Sequence, residues 1–289
     1  MKIKHIFIFF LIIIFVTSCT KNDSVDFDGK NAFEYAKIQV DFGPRIPGSE
    51  AHQNTVDFMI SELEKNGWET EIQSDLINDY TLKNVIGYRN DQNTKPWIIL
   101  AVHYDSRFFA DNDPDLGKRS NPVDGANDGA SGVAVLLELS RIIPKDLPKN
   151  VWLVFFDVED QGNIDNWDWI LGSRSFVNQL EGIPESVVIL DMIGDKDLNI
   201  YYEKNSDSEL QQEIWKIAAE LGYEQFFIPE YKYSILDDHI PFIEKGITAI
   251  DIIDFDYVYW HTTEDTIDKI SPESLEVVGR TIFHWLLVP

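Results

Sequence analysis

Short, almost uninterrupted apolar runs recur along the chain at 97–103, 151–156, 187–190 and 247–252. A strand exposed on one face alternates apolar and polar residues, so runs of this kind predict strands buried on both faces, as in a parallel sheet. Two further strands are expected at 68–73 and 82–88, and helical spacing of apolar residues predicts helices over 130–143, 173–180, 208–221 and 272–287. Near the start, Phe33, Ala36 and Val40 predict a first helix, which Gly43-Pro44-Arg45-Ile46-Pro47-Gly48 cannot continue. Ser49 then suits the N-cap of a second helix that carries Val56, Phe58, Met59 and Leu63 and stops at Gly67. Strands alternating with helices imply an α/β fold: one domain with a central twisted mixed sheet, mostly parallel, and helices on both faces.

The N-terminus departs from this pattern. Lys2 and Lys4 precede an apolar run over 6–16, too short to span a membrane comfortably, which reads as a secretory signal. It ends in Val16-Thr17-Ser18-Cys19, similar to the processing site of bacterial lipoproteins. The expected division is a signal peptide over 1–18, a lipidated Cys19 and tether over 19–30, and a catalytic domain over 31–289. A plain signal peptide with an incidental cysteine is the alternative. Cys19 is the only cysteine in the sequence, so the domain must be stable without an internal disulfide. The expected location is the periplasmic or outer side of a membrane, held there only through Cys19. With 50 acidic against 24 basic residues and a formal charge of −26, the chain is unsuited to a nucleic-acid backbone. Nothing in the sequence demands a partner subunit, and a monomer is expected.

Chemistry enters at the strand ends. His103 closes one apolar run, Asp157, Glu159 and Asp160 follow another, and Asp191 follows a third. In open α/β sheets, ligands bind beyond the carboxyl ends of the strands, so these side chains belong to one edge. Any one of them could be an ordinary turn or capping residue, but that reading weakens for all together. Asp128 sits among the small residues Gly125-Ala126-Asn127-Asp128-Gly129-Ala130, which allow a tight turn before a helix, where an N-cap role is also open. His261 follows the last apolar run in Tyr259-Trp260-His261-Thr262. Two carboxylates and one imidazole with an open position make a plausible catalytic zinc site, without soft sulfur ligands.

The order His103-x-Asp105, Asp128, Glu159-Asp160, Asp191, His261 resembles the zinc aminopeptidase superfamily with a dinuclear site, over almost the whole domain. Within it, Leu236-Asp237-Asp238-His239-Ile240-Pro241-Phe242 and Trp260-His261 resemble the animal-type glutaminyl cyclases and their bacterial relatives. The resemblance implies Asp128, Asp160 and His261 as ligands of a single zinc and Glu159 as the general base and acid. Asp191 and Asp237 become hydrogen-bonding partners at the reacting centre, with Trp260 and Trp169 as pocket walls. Trp167, Phe255, Tyr257 and Tyr259 are further aromatic candidates. Animal cyclases carry glutamate where this chain has Asp160. His103 and Asp191 match positions that hold a second zinc in aminopeptidases, so ligand types leave the metal count open. The implied activity is conversion of N-terminal glutamine in peptides and proteins to pyroglutamate with loss of ammonia; a dinuclear zinc aminopeptidase is the alternative.

Overall fold

The structure, a computed structural model, describes residues 26–89 and 96–288. Its main strands are β1 (Glu69–Ile77), β2 (Tyr80–Tyr88), β3 (Trp97–His103), β4 (Asn150–Phe156) and β5 (Ser186–Asp191). A small parallel pair, β6 (Ile200–Tyr202) and β7 (Phe227–Tyr231), precedes the last strand, β8 (Ala249–Ile253). The principal sheet has the order β1-β2-β4-β3-β5-β8. β4, β3, β5 and β8 run parallel, while β1 and β2 form an antiparallel hairpin on β4. The sheet is therefore mixed and mostly parallel, as its apolar runs imply.

Each parallel strand is buried on both faces, and alternate residues enter different cores. Ile98, Leu100 and Val102 join one cluster, whereas Ile99 and Ala101 join another; Leu153 and Phe155 are separated from Val154 and Phe156 in the same way. The first face is covered by α1 (Gly29–Asp41), α2 (Glu50–Lys65) and α3 (Ala130–Ile142), which contribute Ala32, Met59 and Leu136. The second face is covered by α4 (Leu171–Gln179), which contributes Phe176. α5 (Ser208–Glu220) returns to the first face, short α6 (Ile240–Glu244) lies on the second, and α7 (Pro272–Leu286) closes the first. Ser49 caps α2 as expected, accepting from the His52 amide at 3.1 Å.

Three local differences from the sequence reading have physical causes. The ordered fold begins before residue 31: Asp28 caps α1, and Phe27 packs flat on α7, where a Cβ on Gly279 would lie 2.2 Å from its ring. The first strand extends to Ile77 because Asn78 and Asp79, both at positive φ, turn it directly into β2. β6, β7 and α6 lack a sequence signal, being at most five residues long and, in β7, mostly exposed. Cys19 and the preceding apolar run lie outside the described residues. Among the described residues, no helix is long and apolar enough to cross a membrane.

Candidate active site

Strand order places the site. From β3 the chain crosses to β4 on one side and then returns past β3 to β5, which opens a crevice beyond the carboxyl ends of these strands. A cavity of about 240 Å3 occupies it, and Asp128, Glu159, Asp160, Asp191, Asp237, Trp169 and Trp260 all line it. His261 is not among the lining residues but contacts two of them, Asp160 and Trp260.

Asp128 reaches the floor on a loop held from both ends. Arg45, fully buried, donates to the carbonyl oxygens of Asp124 and Gly125 at 2.6 Å each and to that of Tyr104 at 3.0 Å. Buried Asp265 accepts from the amides of Asn127 and Asp128 at 2.9 and 3.1 Å, and Tyr257 donates its hydroxyl to Asp265 at 2.6 Å. Gly129, at φ 95°, is the N-cap position of α3 and makes no side-chain cap, so Asp128 is not a capping residue and its carboxylate faces the cavity. A Cβ at Gly129 would meet the Asp105 carbonyl oxygen at 2.8 Å, which ties glycine to this turn.

Glu159 and Asp160 are anchored by a residue that the sequence pattern offers only as part of His103-x-Asp105. The Asp105 carboxylate accepts from the Glu159 amide at 3.0 Å, the Asp160 amide at 3.2 Å and the Gln161 side chain at 2.8 Å. With two backbone donors spent on one anchor, the adjacent Glu159 and Asp160 carboxylates are left free to face the cavity. Although Asp105 is buried, His103 and these donors hold its carboxyl below the usual range.

Two imidazoles join the carboxylates. His103 Nε2 lies 3.1 Å from both Asp128 Oδ1 and Asp191 Oδ1. His261 Nε2 lies 2.8 Å from Asp160 Oδ1 and 3.7 Å from Asp128 Oδ2. Asp128 Oδ2 and Asp160 Oδ2 are buried yet have no hydrogen-bond partner, and His261 Nε2, beside Asp160 Oδ1, makes no hydrogen bond of good geometry. Orphaned donor atoms of this kind, converging from three loops, fit a bound cation. Two further groupings have the spacing to hold a metal: His103, Asp128 and Asp191, which shares Asp128 with the first, and Asp237, His239 and Asp251 behind the cavity.

The remaining carboxyls are crowded. Burial raises Asp191 to about 7 against the opposing pull of His103, with Asp237 and Asp128 adding repulsion. Burial, opposed by His103 and reinforced by Asp237 and Asp160, pushes Glu159 well above the ordinary range. Carboxyls shifted upward in this way suit a proton-transfer role.

The aromatic candidates separate cleanly. Trp169 stacks on the His261 ring at 5.9 Å and 10°, and Trp260 packs against the same ring at 3.8 Å. Trp169 lies so close over Gly162 that a Cβ there would be 2.1 Å from the indole. Phe255 also lines the cavity, whereas Tyr257 turns away to Asp265, and neither Tyr259 nor Trp167 is a lining residue. Trp167 packs on Tyr80 and Phe108 instead.

Residues 84–286 match the family profile described as Peptidase family M28. The chain is a member of peptidase family M28. Within this family it is similar to the glutaminyl cyclase of Porphyromonas gingivalis, with a TM-score of 0.86 and 34% identity over 91% of this chain and 99% of that one. It is equally similar in fold to a Zn-dependent exopeptidase from Parabacteroides distasonis, with a TM-score of 0.86 and 32% identity over 92% and 100% of the two chains. A glutaminyl-peptide cyclotransferase of Boiga irregularis is 26% identical, covering 86% of this chain and 78% of its own length.

Proposed function

We propose that this M28 protein is a zinc-dependent glutaminyl cyclase that converts N-terminal glutamine of peptides and proteins to pyroglutamate. The observation that carries the reading is the convergence of Glu159, Asp191 and Asp237 on a cavity walled by Trp169 and Trp260 and lined by Asp128 and Asp160, with His261 Nε2 beside Asp160. At about 240 Å3 the cavity is smaller than the ~300–1,000 Å3 typical of drug-sized ligand sites. It suits one terminal residue rather than a stretch of peptide. Similarity to solved and curated glutaminyl cyclases supports the same activity.

Asp128, Asp160 and His261 would hold one zinc. Bound there, zinc supplies Lewis acidity toward the oxygen of the substrate's side-chain amide. In the reaction, the α-amine nitrogen forms a bond to the side-chain carbonyl carbon, the bond from that carbon to the amide nitrogen breaks, and ammonia leaves. One proton must pass from the amine to the departing nitrogen. Glu159, poised by burial and its acidic neighbours, accepts that proton from the amine and delivers it to the departing nitrogen. Asp191 and Asp237 face the same space, where burial and the neighbouring carboxylates raise Asp191 and favour its keeping a proton. Such a pair can donate to and accept from the amide nitrogen. The indoles of Trp169 and Trp260 exclude water, so the tethered amine competes only with a depleted nucleophile.

One observation favours a second reading, a dinuclear aminopeptidase: His103, Asp128 and Asp191 have the spacing to hold another metal beside the first. The two activities differ in product. The cyclase releases ammonia from a glutamine-initiated dipeptide and leaves the peptide bond intact, whereas release of free leucine from a leucine-initiated dipeptide without ammonia would establish the aminopeptidase.

For cellular placement, the sequence supports export and lipid attachment at Cys19. Metabolic labelling with palmitate tests it: the label should enter the wild-type chain and be lost in Cys19→Ser.

A further inference from the structure

The segment between β3 and the Asp128 loop touches both of the outer metal-ligand loops, and its charged residues are not used by the proposed reaction. Arg107, 2% exposed, forms a two-pronged ion pair with Asp111, Nε to Oδ1 at 2.8 Å and Nη2 to Oδ2 at 2.6 Å. The same guanidinium donates to the Asp160 carbonyl oxygen at 2.8 Å and the Gly162 carbonyl oxygen at 3.2 Å, and it lies 4.8 Å over the Trp169 ring. Arg107 thereby fixes the loop that carries Asp160 and the aromatic wall stacked on His261.

Asp111 faces the other loop. Its Oδ1 lies 3.6 Å from His261 Nδ1, on the side of the ring opposite the orphaned Nε2. The next two residues secure the turn itself: the Asn112 amide donates to the His261 carbonyl oxygen at 3.1 Å, and Asp113 accepts from the Thr263 amide at 3.0 Å and its hydroxyl at 2.6 Å. His261 has φ 57°, a conformation that a residue with a side chain adopts only when its surroundings impose it. These bonds supply that constraint.

We propose that Arg107 and Asp111 are positioning residues of the metal centre, a clamp that orients His261 with Nε2 toward the cation while setting the distance between the Asp160 and His261 loops. A carboxylate beside Nδ1 favours the tautomer with its proton there and leaves Nε2 free to ligate. Arg107 cannot be replaced by lysine in this role, because a point charge cannot hold Asp111 through two parallel bonds, reach two carbonyls and stack on an indole together. The inference rests on reading Asp160 and His261 as ligands.

The test is zinc affinity of the full chain, measured by competition with a chromogenic chelator, alongside thermal unfolding with and without zinc. Asp111→Asn and Arg107→Lys should each weaken zinc binding by about 10- to 100-fold. Asp111 is half exposed but neutralises buried Arg107, so Asp111→Asn should lower the metal-free unfolding temperature slightly and the zinc-bound one by more, shrinking the shift that zinc produces. Asp111→Glu should restore part of the affinity. His261→Ala serves as the control for the underlying reading: if it binds zinc like the wild type, the ligand assignment itself is wrong. If His261→Ala loses zinc while Asp111→Asn and Arg107→Lys both bind normally, the ligands stand and the clamp is overturned. A metal-free stability loss in Asp111→Asn equal to its loss in the presence of zinc also overturns it, since that pattern belongs to a purely structural contact.

Discussion

Two clusters of the same residue types lie a few side chains apart, and they differ in what surrounds them. The front cluster, Asp128, Asp160 and His261, opens on the cavity, and its orphaned atoms point toward a common space beside the Arg107–Asp111 pair. The rear cluster, Asp237, His239 and Asp251, has the spacing of a metal site and buried atoms without hydrogen bonds too, but Asp251 and His239 are completely buried and away from the cavity lining, with Glu203 Oε2 at 3.2 Å from His239. Burial pushes the Asp251 carboxyl well above the ordinary range, with Asp237, Asp191 and Glu203 all adding to the shift. Identical ligand inventories therefore support different chemistry. Access and neighbouring charge decide which cluster can take up a cation and which stores a proton. Asp237 connects the two, because it lines the cavity while facing Asp251 from the other side.

The comparison can be broken at three places, in descending order of effect. Asp128→Ala removes the residue shared by both front groupings and should abolish zinc binding and turnover together, as read by metal content after dialysis and by ammonia release. Retention of stoichiometric zinc in this variant would move the metal to the rear cluster. Asp237→Asn should keep zinc but lower kcat by about 100-fold, at the low end of what a positioned proton-transfer group contributes. A near-normal rate would remove Asp237 from the reaction and leave it a structural neighbour of Asp251.

The smallest effect is on stability. At a pH below the ordinary carboxylate range, Asp251 is protonated in both the folded and unfolded chains. As the pH rises, the unfolded chain ionises it while the fold resists, so the stability tied to this group is progressively lost. Asp251→Asn removes that loss, and its unfolding free energy relative to the wild type should rise between pH 5 and pH 8. Urea titrations at the two pH values measure it. A difference independent of pH would mean that Asp251 is ionised in the fold and would weaken the contrast between the clusters.

How much of this was legible in the sequence follows from which signals are local. The strands β3, β4, β5 and β8 announce themselves as apolar runs because both faces are buried, and their polar ends follow from chain order alone. Asp128, Glu159, Asp160, Asp191, Asp237 and Trp260 could therefore be named before the fold was known, with family resemblance selecting Asp237. The supporting roles could not, even for Asp105, which the sequence offers only within His103-x-Asp105. Arg45, Asp105, Asp111 and Asp265 act by bonding to backbone groups or rings far away in sequence, and a charged residue in a loop looks the same whether it is solvated or buried. Asp251 is an exception that could have been found: it is the single charge within the apolar strand β8, and a charge in a doubly buried strand must be neutralised or paired. The choice between Trp167 and Trp169 depended on Gly162, whose missing side chain is the space that Trp169 fills.

The central claim is that a single zinc at the front cluster serves an internal amine. Its most direct measurement counts zinc per chain by mass spectrometry in the same sample whose ammonia release from a glutamine-initiated dipeptide is timed. The account predicts about one zinc per chain at full activity, with no further rate on adding metal. Two zinc ions per chain, both required for full activity, would contradict it and place His103 and Asp191 among the ligands.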